Sequence, residues 1–108
     1  MQAYSDSKLY DVMLAFAVAR LWPDVMSNAV DPGWIKTKMG GPDAGDEVSE
    51  GAATQVWLAV SEQDDARVIG RYLKRFGTLE ANAHASDVSL QEELLGRLAD
   101  LTGVRLSR

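Results

Sequence analysis

The sequence predicts an α/β fold, because helical and strand-like segments alternate along its 108 residues. Stretches with apolar residues at helical spacing are separated by two short apolar runs that end in turn residues. The predicted order is helix, strand, helix, strand, helix. A strand–helix–strand unit forms a parallel pair with a right-handed crossover, so the two short strands are expected to be parallel.

The first helix is predicted over residues 4–21. Leu9 and Val12 belong to one apolar face at helical spacing, and Tyr10 begins a second one. A helix that is apolar on two faces must be covered on more than one side. Pro23 disfavours helical backbone in the residue before it and is expected to end the helix.

The next segments are a strand, a long loop and a helix. A largely apolar run at residues 25–30 precedes an Asp-Pro-Gly turn and predicts the first strand. Residues 31–46 hold four of the nine glycines and two of the three prolines, so a long loop is expected there. Loops of this length in small domains are often functional. A second helix then runs to about residue 61, with Asp46 or Ser49 as its N-cap.

The last third of the chain predicts one more strand and one more helix. The apolar run at residues 68–73 has the length of a strand, and residues 78–87 are small and polar, as in an irregular loop. Leucines at helical spacing over residues 90–101 predict an amphipathic helix with Asp87 or Ser89 as its N-cap. Two parallel strands are too few for a stable open sheet, so the chain is expected to be part of a larger fold.

The composition argues against several classes of function. The net charge of −5 opposes binding to a phosphate backbone, so no nucleic-acid partner is expected. The chain has no cysteine and one histidine, His84, so no disulfide and no metal site is expected. The apolar runs are too short to span a bilayer and no signal-peptide pattern is found, which makes a cytoplasmic location the expectation.

The motif Y-S-D-S-K places Tyr4 and Lys8 at positions i and i+4, which share one face of a helix. An ammonium group a few ångströms from a phenol favours the phenolate and lowers the pKa of the tyrosine. Such a tyrosine can exchange a proton with a substrate oxygen, as carbonyl reduction by hydride requires. The same spacing is also frequent by chance, so the pair alone does not distinguish a catalytic motif from an ordinary helix start.

The series of motifs that follows favours the catalytic interpretation. After Y-S-D-S-K-L come the strand S-N-A-V, the turn D-P-G-W-I-K-T-K-M, the helix E-G-A-A-T-Q-V-W-L-A and the strand I-G-R-Y-L. In this order the motifs resemble the C-terminal half of the short-chain dehydrogenase/reductase family, especially its retinol-dehydrogenase-like members. The resemblance covers residues 3–101. It implies a partial Rossmann-type doubly wound fold and NAD(P)-dependent interconversion of an alcohol and a carbonyl, as in retinol-like dehydrogenases.

The resemblance assigns roles to residues near the first helix and strand. Tyr4 would be the general acid/base. Lys8 would lower the pKa of that tyrosine and hydrogen-bond the nicotinamide ribose. Pro32 and Gly33 would line the nicotinamide pocket.

Four residues of the following loop receive roles in the same way. The backbone of Ile35 would face the nicotinamide carboxamide, and Thr37 would reach the carboxamide or the diphosphate. Trp34 and Met39 would contact an apolar substrate.

The family's nucleotide fingerprint is not found in this sequence. No G-x-G-x-x-G turn is present to bring backbone to a diphosphate at a helix N-terminus. The family's catalytic serine lies upstream of its tyrosine, and only residues 1–3 precede Tyr4. Residues 1–108 are therefore expected to be a single partial domain without the N-terminal nucleotide-binding half. The cofactor would be NAD or NADP by resemblance, but the isolated chain is expected to bind neither and to be inactive.

Two other interpretations remain open. The chain is alternatively a non-catalytic interaction module that forms a homodimer or a swapped oligomer through the helix at 4–21 and the exposed edge of the strand at 25–30. A separate polypeptide that supplies the N-terminal half in trans is the other candidate partner. The substrate and the choice between NAD and NADP cannot be read from the sequence.

Overall fold

The computed structural model describes residues 2–33 and 48–108 of the chain. In these residues three α-helices and three strands follow one another in the order α1, β1, α2, β2, β3, α3. The helices are α1 (Gln2–Leu21), α2 (Val48–Val60) and α3 (Val88–Thr102). The strands are β1 (Ala29–Val30), β2 (Tyr72–Lys74) and β3 (Gly77–Leu79). Short 3-10 helices lie at Asp64–Ala66 and Ala83–Ser86.

The described strands form one mixed sheet in the order β1-β2-β3. β1 and β2 are parallel, with Ala29 opposite Tyr72 and Val30 opposite Leu73. β2 and β3 are antiparallel, with Lys74 opposite Gly77. The prediction of an α/β fold with a parallel strand pair is therefore confirmed.

The expectation of only two strands is wrong, because β3 lies in a stretch that was predicted to be partly irregular. A two-residue turn at Arg75 and Phe76 joins β2 to β3, and both residues have positive φ, 49° and 68°. Tight hairpin turns of this kind usually carry Asn-Gly or Asp-Gly, so Arg-Phe gives no turn signal in the sequence. Tertiary contacts stabilise the turn: the Phe76 N–H donates to Thr54 Oγ1 of α2 at 3.3 Å. The Phe76 ring also meets the Trp57 ring edge to face, with centroids 5.3 Å apart.

Both parallel strands begin later than the sequence indicates, because the side chain of Asn28 joins the two segments before them, beside a single backbone bond from the Gly70 N–H to the Ser27 carbonyl at 2.8 Å. Asn28 Nδ2 donates to the Val68 carbonyl at 2.8 Å, and Asn28 Oδ1 accepts from the Arg71 N–H at 3.0 Å. Gly70 turns the chain between those two contacts with a φ of +68°. Regular pairing therefore starts only with the bond from the Ala29 N–H to the Arg71 carbonyl, 2.9 Å long.

Helix α1 packs across the sheet and against α3, and it carries much of the core. Met13 and Ala17 on α1 are buried, as is Leu73 in the middle of β2. The second apolar face predicted for this helix is less well covered, since Tyr10 keeps 46% of its surface exposed. The helix ends at Leu21, as the proline at position 23 predicts.

Helix α3 has the ends that its sequence predicts. The Asp87 side chain accepts from the Leu90 N–H at 3.1 Å, which identifies Asp87 rather than Ser89 as the N-cap. At the other end the Gly103 N–H donates to the Ala99 carbonyl at 2.8 Å. None of the helices in the described ranges is long and apolar enough to cross a membrane.

Candidate functional site

The first turns of α1 carry the Tyr-Lys motif. Tyr4 and Lys8 both lie within this helix, so their separation of four residues corresponds to one turn. Lys8 is exposed to solvent. The side chain of Tyr4 lies outside the part of the chain that the structure describes, and its catalytic role stays a prediction.

A cavity of about 380 Å³ lies between α1 and β1. Three residues with predicted cofactor roles, Lys8, Pro32 and Gly33, line it together. The other lining residues are Asp11, Val12, Ala15, Asn28, Ala29, Val30, Asp31 and Tyr72. The fold thus brings residues about 25 positions apart in the sequence to one site.

The turn Asp31-Pro32-Gly33 forms the rim of this cavity directly after β1. The Asp31 N–H continues the parallel ladder by donating to the Leu73 carbonyl at 2.8 Å. The Asp31 carboxylate then accepts from the Gly33 N–H at 2.9 Å, and Gly33 has a φ of 88° that glycine adopts without strain. These contacts hold the turn at the carboxyl end of a parallel strand, which is where open α/β sheets bind their ligands.

The cavity has a polar end and an apolar side. Lys8 and the turn at residues 31–33 are here called the polar end, and Val12 and Ala15 of α1 with Ala29 and Val30 of β1 the apolar side. The titratable lining residues are one lysine and two aspartates, Asp11 and Asp31, which together give a formal charge of −1. This balance disfavours a phosphate group and suits an uncharged or cationic part of a ligand.

A smaller cavity of about 170 Å³ adjoins the first one. Both cavities are lined by Lys8, Val12 and Tyr72, and the smaller one extends to Ala81 and Asn82 after β3. Tyr72 therefore stands where the two cavities meet. Sequence reasoning placed it in the motif I-G-R-Y-L but gave it no role of its own.

Two further residues of the site were not singled out from the sequence. Asp31 fixes the backbone of the Pro-Gly turn, and its position directly before Pro-Gly is a recognisable signal for such a side-chain turn. Asn28 lines the cavity while its amide joins the two strands, and no local pattern marks that contact, because its partners are 40 and 43 residues away.

Four of the predicted site residues cannot be placed in this geometry. Ile35, Thr37, Trp34 and Met39 all lie outside the described residues. Within residues 2–33 and 48–108, no group of three histidine or carboxylate side chains is arranged to hold a metal ion.

Curated relatives match nearly the whole chain. The short-chain dehydrogenase chyC of Penicillium rubens is 32% identical over 104 residues, which cover 96% of this chain and 40% of that relative. An uncharacterized oxidoreductase of Emericella nidulans is 36% identical over 104 residues, with 94% of this chain and 41% of the relative covered. The chain belongs to the short-chain dehydrogenase/reductase family. The resemblance stated from the motifs is thereby confirmed at the level of the family.

The matches cover only part of each relative. The chain spans about 40% of the length of the fungal relatives that match nearly all of it. Carbonyl reductase (NADPH) 1 of Bos taurus is 41% identical over 49 residues, which are 45% of this chain and 18% of that relative. No family model and no solved structure matches the chain. None of the relatives named here is a retinol dehydrogenase, so that narrower likeness stays a prediction.

Proposed function

We propose that this chain supplies the nicotinamide-side part of the active site of an NAD(P)-dependent short-chain oxidoreductase that interconverts a carbonyl and an alcohol. The observation that carries the proposal is the cavity at the carboxyl end of β1, where Lys8 meets Pro32 and Gly33. Family membership supports it, since the matched relatives are named dehydrogenases, oxidoreductases and carbonyl reductases.

Tyr4 and Lys8 have different roles in the proposed reaction. A bound nicotinamide dinucleotide would supply or accept the hydride. Tyr4 gives a proton to the oxygen of a carbonyl substrate during reduction and takes it back during alcohol oxidation. Lys8 lies one helical turn away, where its ammonium stabilises the phenolate that remains after the proton has left.

The size and charge of the cavity fit only part of the cofactor. A volume of about 380 Å³ is near the lower limit for small-molecule sites. Its polar end offers a lysine and a rigid turn to the uncharged ribose next to the nicotinamide, and its net negative lining opposes a diphosphate. The residues that would bind the rest of the dinucleotide belong to a part of the family fold that this sequence does not match. We therefore propose that the isolated 108-residue chain neither binds the dinucleotide tightly nor turns over substrate.

The test is a titration of the purified chain with NADH and NADPH, followed by tryptophan fluorescence and by reduction of a simple ketone. We expect no saturable binding up to millimolar nucleotide and no turnover. Saturable binding with turnover that Tyr4→Phe abolishes would confirm the role of the motif and overturn the proposed inactivity. Turnover that survives Tyr4→Phe would contradict the role proposed for Tyr4.

A second candidate function is that of a homodimerising interaction module, and the open edge of β1 favours it. Among the described strands only β2 pairs with β1, and in a parallel ladder alternate N–H and C=O groups point to the opposite side. Ala29 and Val30 of β1 also line the cavity between α1 and β1, and an extended segment of a second copy could pair with the open edge of β1 by strand addition.

Sedimentation velocity over a range of concentrations tests this second candidate. A dimer that dissociates when Val30 is replaced by proline would support it, because proline removes one of the edge hydrogen-bond donors. A monomer at high micromolar concentration would exclude it. If an N-terminal half is supplied in trans, the monomer would instead bind that polypeptide.

A further inference from the structure

The segment after α3 folds back and fastens two helices together. Residues 104–108 follow Gly103 and return along α3. The Trp22 indole N–H donates to the Ser107 carbonyl at 2.6 Å, immediately after the end of α1. The Arg108 guanidinium donates two hydrogen bonds to the Glu92 carboxylate of α3, at 2.6 and 2.8 Å. One short segment is thus bound to both helices.

Glu92 also connects the same segment to α1 by a second route. An Arg20 guanidinium nitrogen lies 3.9 Å from Glu92, and Arg20 Nε donates to the Gln91 side chain at 3.0 Å. Gln91 is buried, and its own amide donates to the Ala85 carbonyl at 2.8 Å. The carboxylate of Glu92 therefore lies beside two guanidinium groups, Arg20 at the end of α1 and Arg108 of the returning segment.

The returning segment lies over α3 without filling the space beneath it. A cavity of about 450 Å³ separates the two, lined by Leu95, Gly96 and Ala99 of α3 and by Leu106 of the segment. A side chain added at Gly96 would meet no atom within 4 Å. Leu106 is only half-buried, and its neighbours at positions 104, 105 and 107 are exposed. Polar contacts at Trp22 and Glu92, rather than apolar packing, hold the segment in place.

We propose that residues 104–108 form a releasable strap, which holds the end of α1 against α3 and opens as a unit when its polar contacts are broken. A segment with little buried apolar surface and a few exposed hydrogen bonds belongs to the least stable part of a fold. Opening frees Trp22 and exposes the apolar groove at Leu95, Gly96 and Ala99. Since α1 carries Lys8 near its other end, the strap also restrains the helix on which the Tyr-Lys motif lies.

Limited proteolysis with trypsin measures the opening, because Arg105 lies within the strap. When opening and closing are fast, the rate of cleavage after Arg105 follows the open population. Glu92→Gln removes the charge that binds Arg108 while keeping the shape of the side chain. Glu93→Gln is the matched control, since Glu93 pairs instead with Arg97 of its own helix at 3.2 Å. Mass spectrometry of the intact chain reports loss of the residues after Arg105.

We expect Glu92→Gln to raise the rate of cleavage after Arg105 about fivefold at low salt, while Glu93→Gln leaves it unchanged. Trp22→Phe, which removes only the N–H donor, should raise the rate about threefold or more. In ~1 M salt, where screening extends to ~3 Å, the wild-type rate should approach that of Glu92→Gln.

Equal cleavage rates for the Glu92 and Glu93 variants at low salt would overturn the proposal. So would a wild-type rate that does not change with salt. Cleavage after Arg97 serves as the control for unfolding of α3. If Glu92→Gln is cut there too, the salt series on the wild-type chain decides the question.

Discussion

Asn28 offers the sharpest test of how this chain positions its candidate site. Its side chain forms two hydrogen bonds, to Val68 at 2.8 Å and from Arg71 at 3.0 Å, which align β1 with β2. The turn at residues 31–33 follows β1 directly and forms the rim of the cavity. Asn28→Ala removes both bonds and leaves the Val68 carbonyl and the Arg71 N–H without these partners. Backbone hydrogen bonds alone would then hold the two strands together near the site.

The expected cost follows from the environment of each bond. An intramolecular hydrogen bond contributes about 1 kcal/mol net, and the loss is larger where the remaining partner is buried. The bond to Val68 is partly buried and the one from Arg71 is exposed. We therefore expect Asn28→Ala to lower the free energy of unfolding by about 2 kcal/mol. Asn28→Asp keeps the acceptor for Arg71 but loses the donor, and should cost about 1 kcal/mol.

Urea denaturation followed by circular dichroism measures these free energies. Asn82→Ala is the matched control, because Asn82 makes one exposed, local bond to the His84 N–H at 2.9 Å. That variant should cost about 0.5 kcal/mol, the low end of the range for replacing a helix N-cap by alanine, because the cap is exposed and its 3-10 helix is short. If Asn28→Ala and Asn82→Ala destabilise the chain equally, Asn28 does not align the strands and the reasoning fails.

Three further variants, the first with a control on β3, test other parts of the fold. Thr54→Val should lower the free energy of unfolding by about 1 kcal/mol, because it removes the acceptor of the Phe76 N–H in the β2–β3 turn. Thr78→Val on exposed β3 is the control and should change it by less than ~0.5 kcal/mol, with both values measured by urea denaturation. Asp87→Ala should cost about 1 kcal/mol and reduce the helical circular dichroism, because it removes the N-cap of α3. The hydrogen bonds from Arg108 lower the pKa of Glu92 below its ordinary 4.5. The stability that ionised Glu92 adds to the folded chain is therefore fully present above pH 4.5, and it is lost as the pH falls through the lower pKa of the folded state. Glu92→Gln should accordingly flatten the decline in stability below pH 4.5, as seen in melting temperatures measured from pH 3 to pH 6.

The helices could be predicted from the sequence because their signals are local. Pro23 ends α1 within two residues of its observed end, and Asp87 caps α3 as its position before an amphipathic run indicates. The parallel pair followed from the order of elements alone. Family membership followed from motifs that are each short but occur in a fixed order.

The strand boundaries and β3 could not be predicted, because distant contacts determine them. Asn28 bonds to residues 40 and 43 positions away, which delays both parallel strands. The turn at Arg75 and Phe76 depends on Thr54 and Trp57 of α2, not on its own residue types. Likewise, Asp31 and Tyr72 enter the candidate site only once the chain has folded.

The central claim, that the polar end of the cavity between α1 and β1 is the nicotinamide side of an active site, is tested most directly by nuclear magnetic resonance. Nicotinamide riboside, which has no phosphate, would be titrated into the isotope-labelled chain. The account predicts weak, saturable shifts centred on Lys8, Asp31 and Gly33, which Lys8→Met reduces and Lys74→Met, on β2, does not. Shifts that are absent up to tens of millimolar, or that centre on α3 instead, would contradict it.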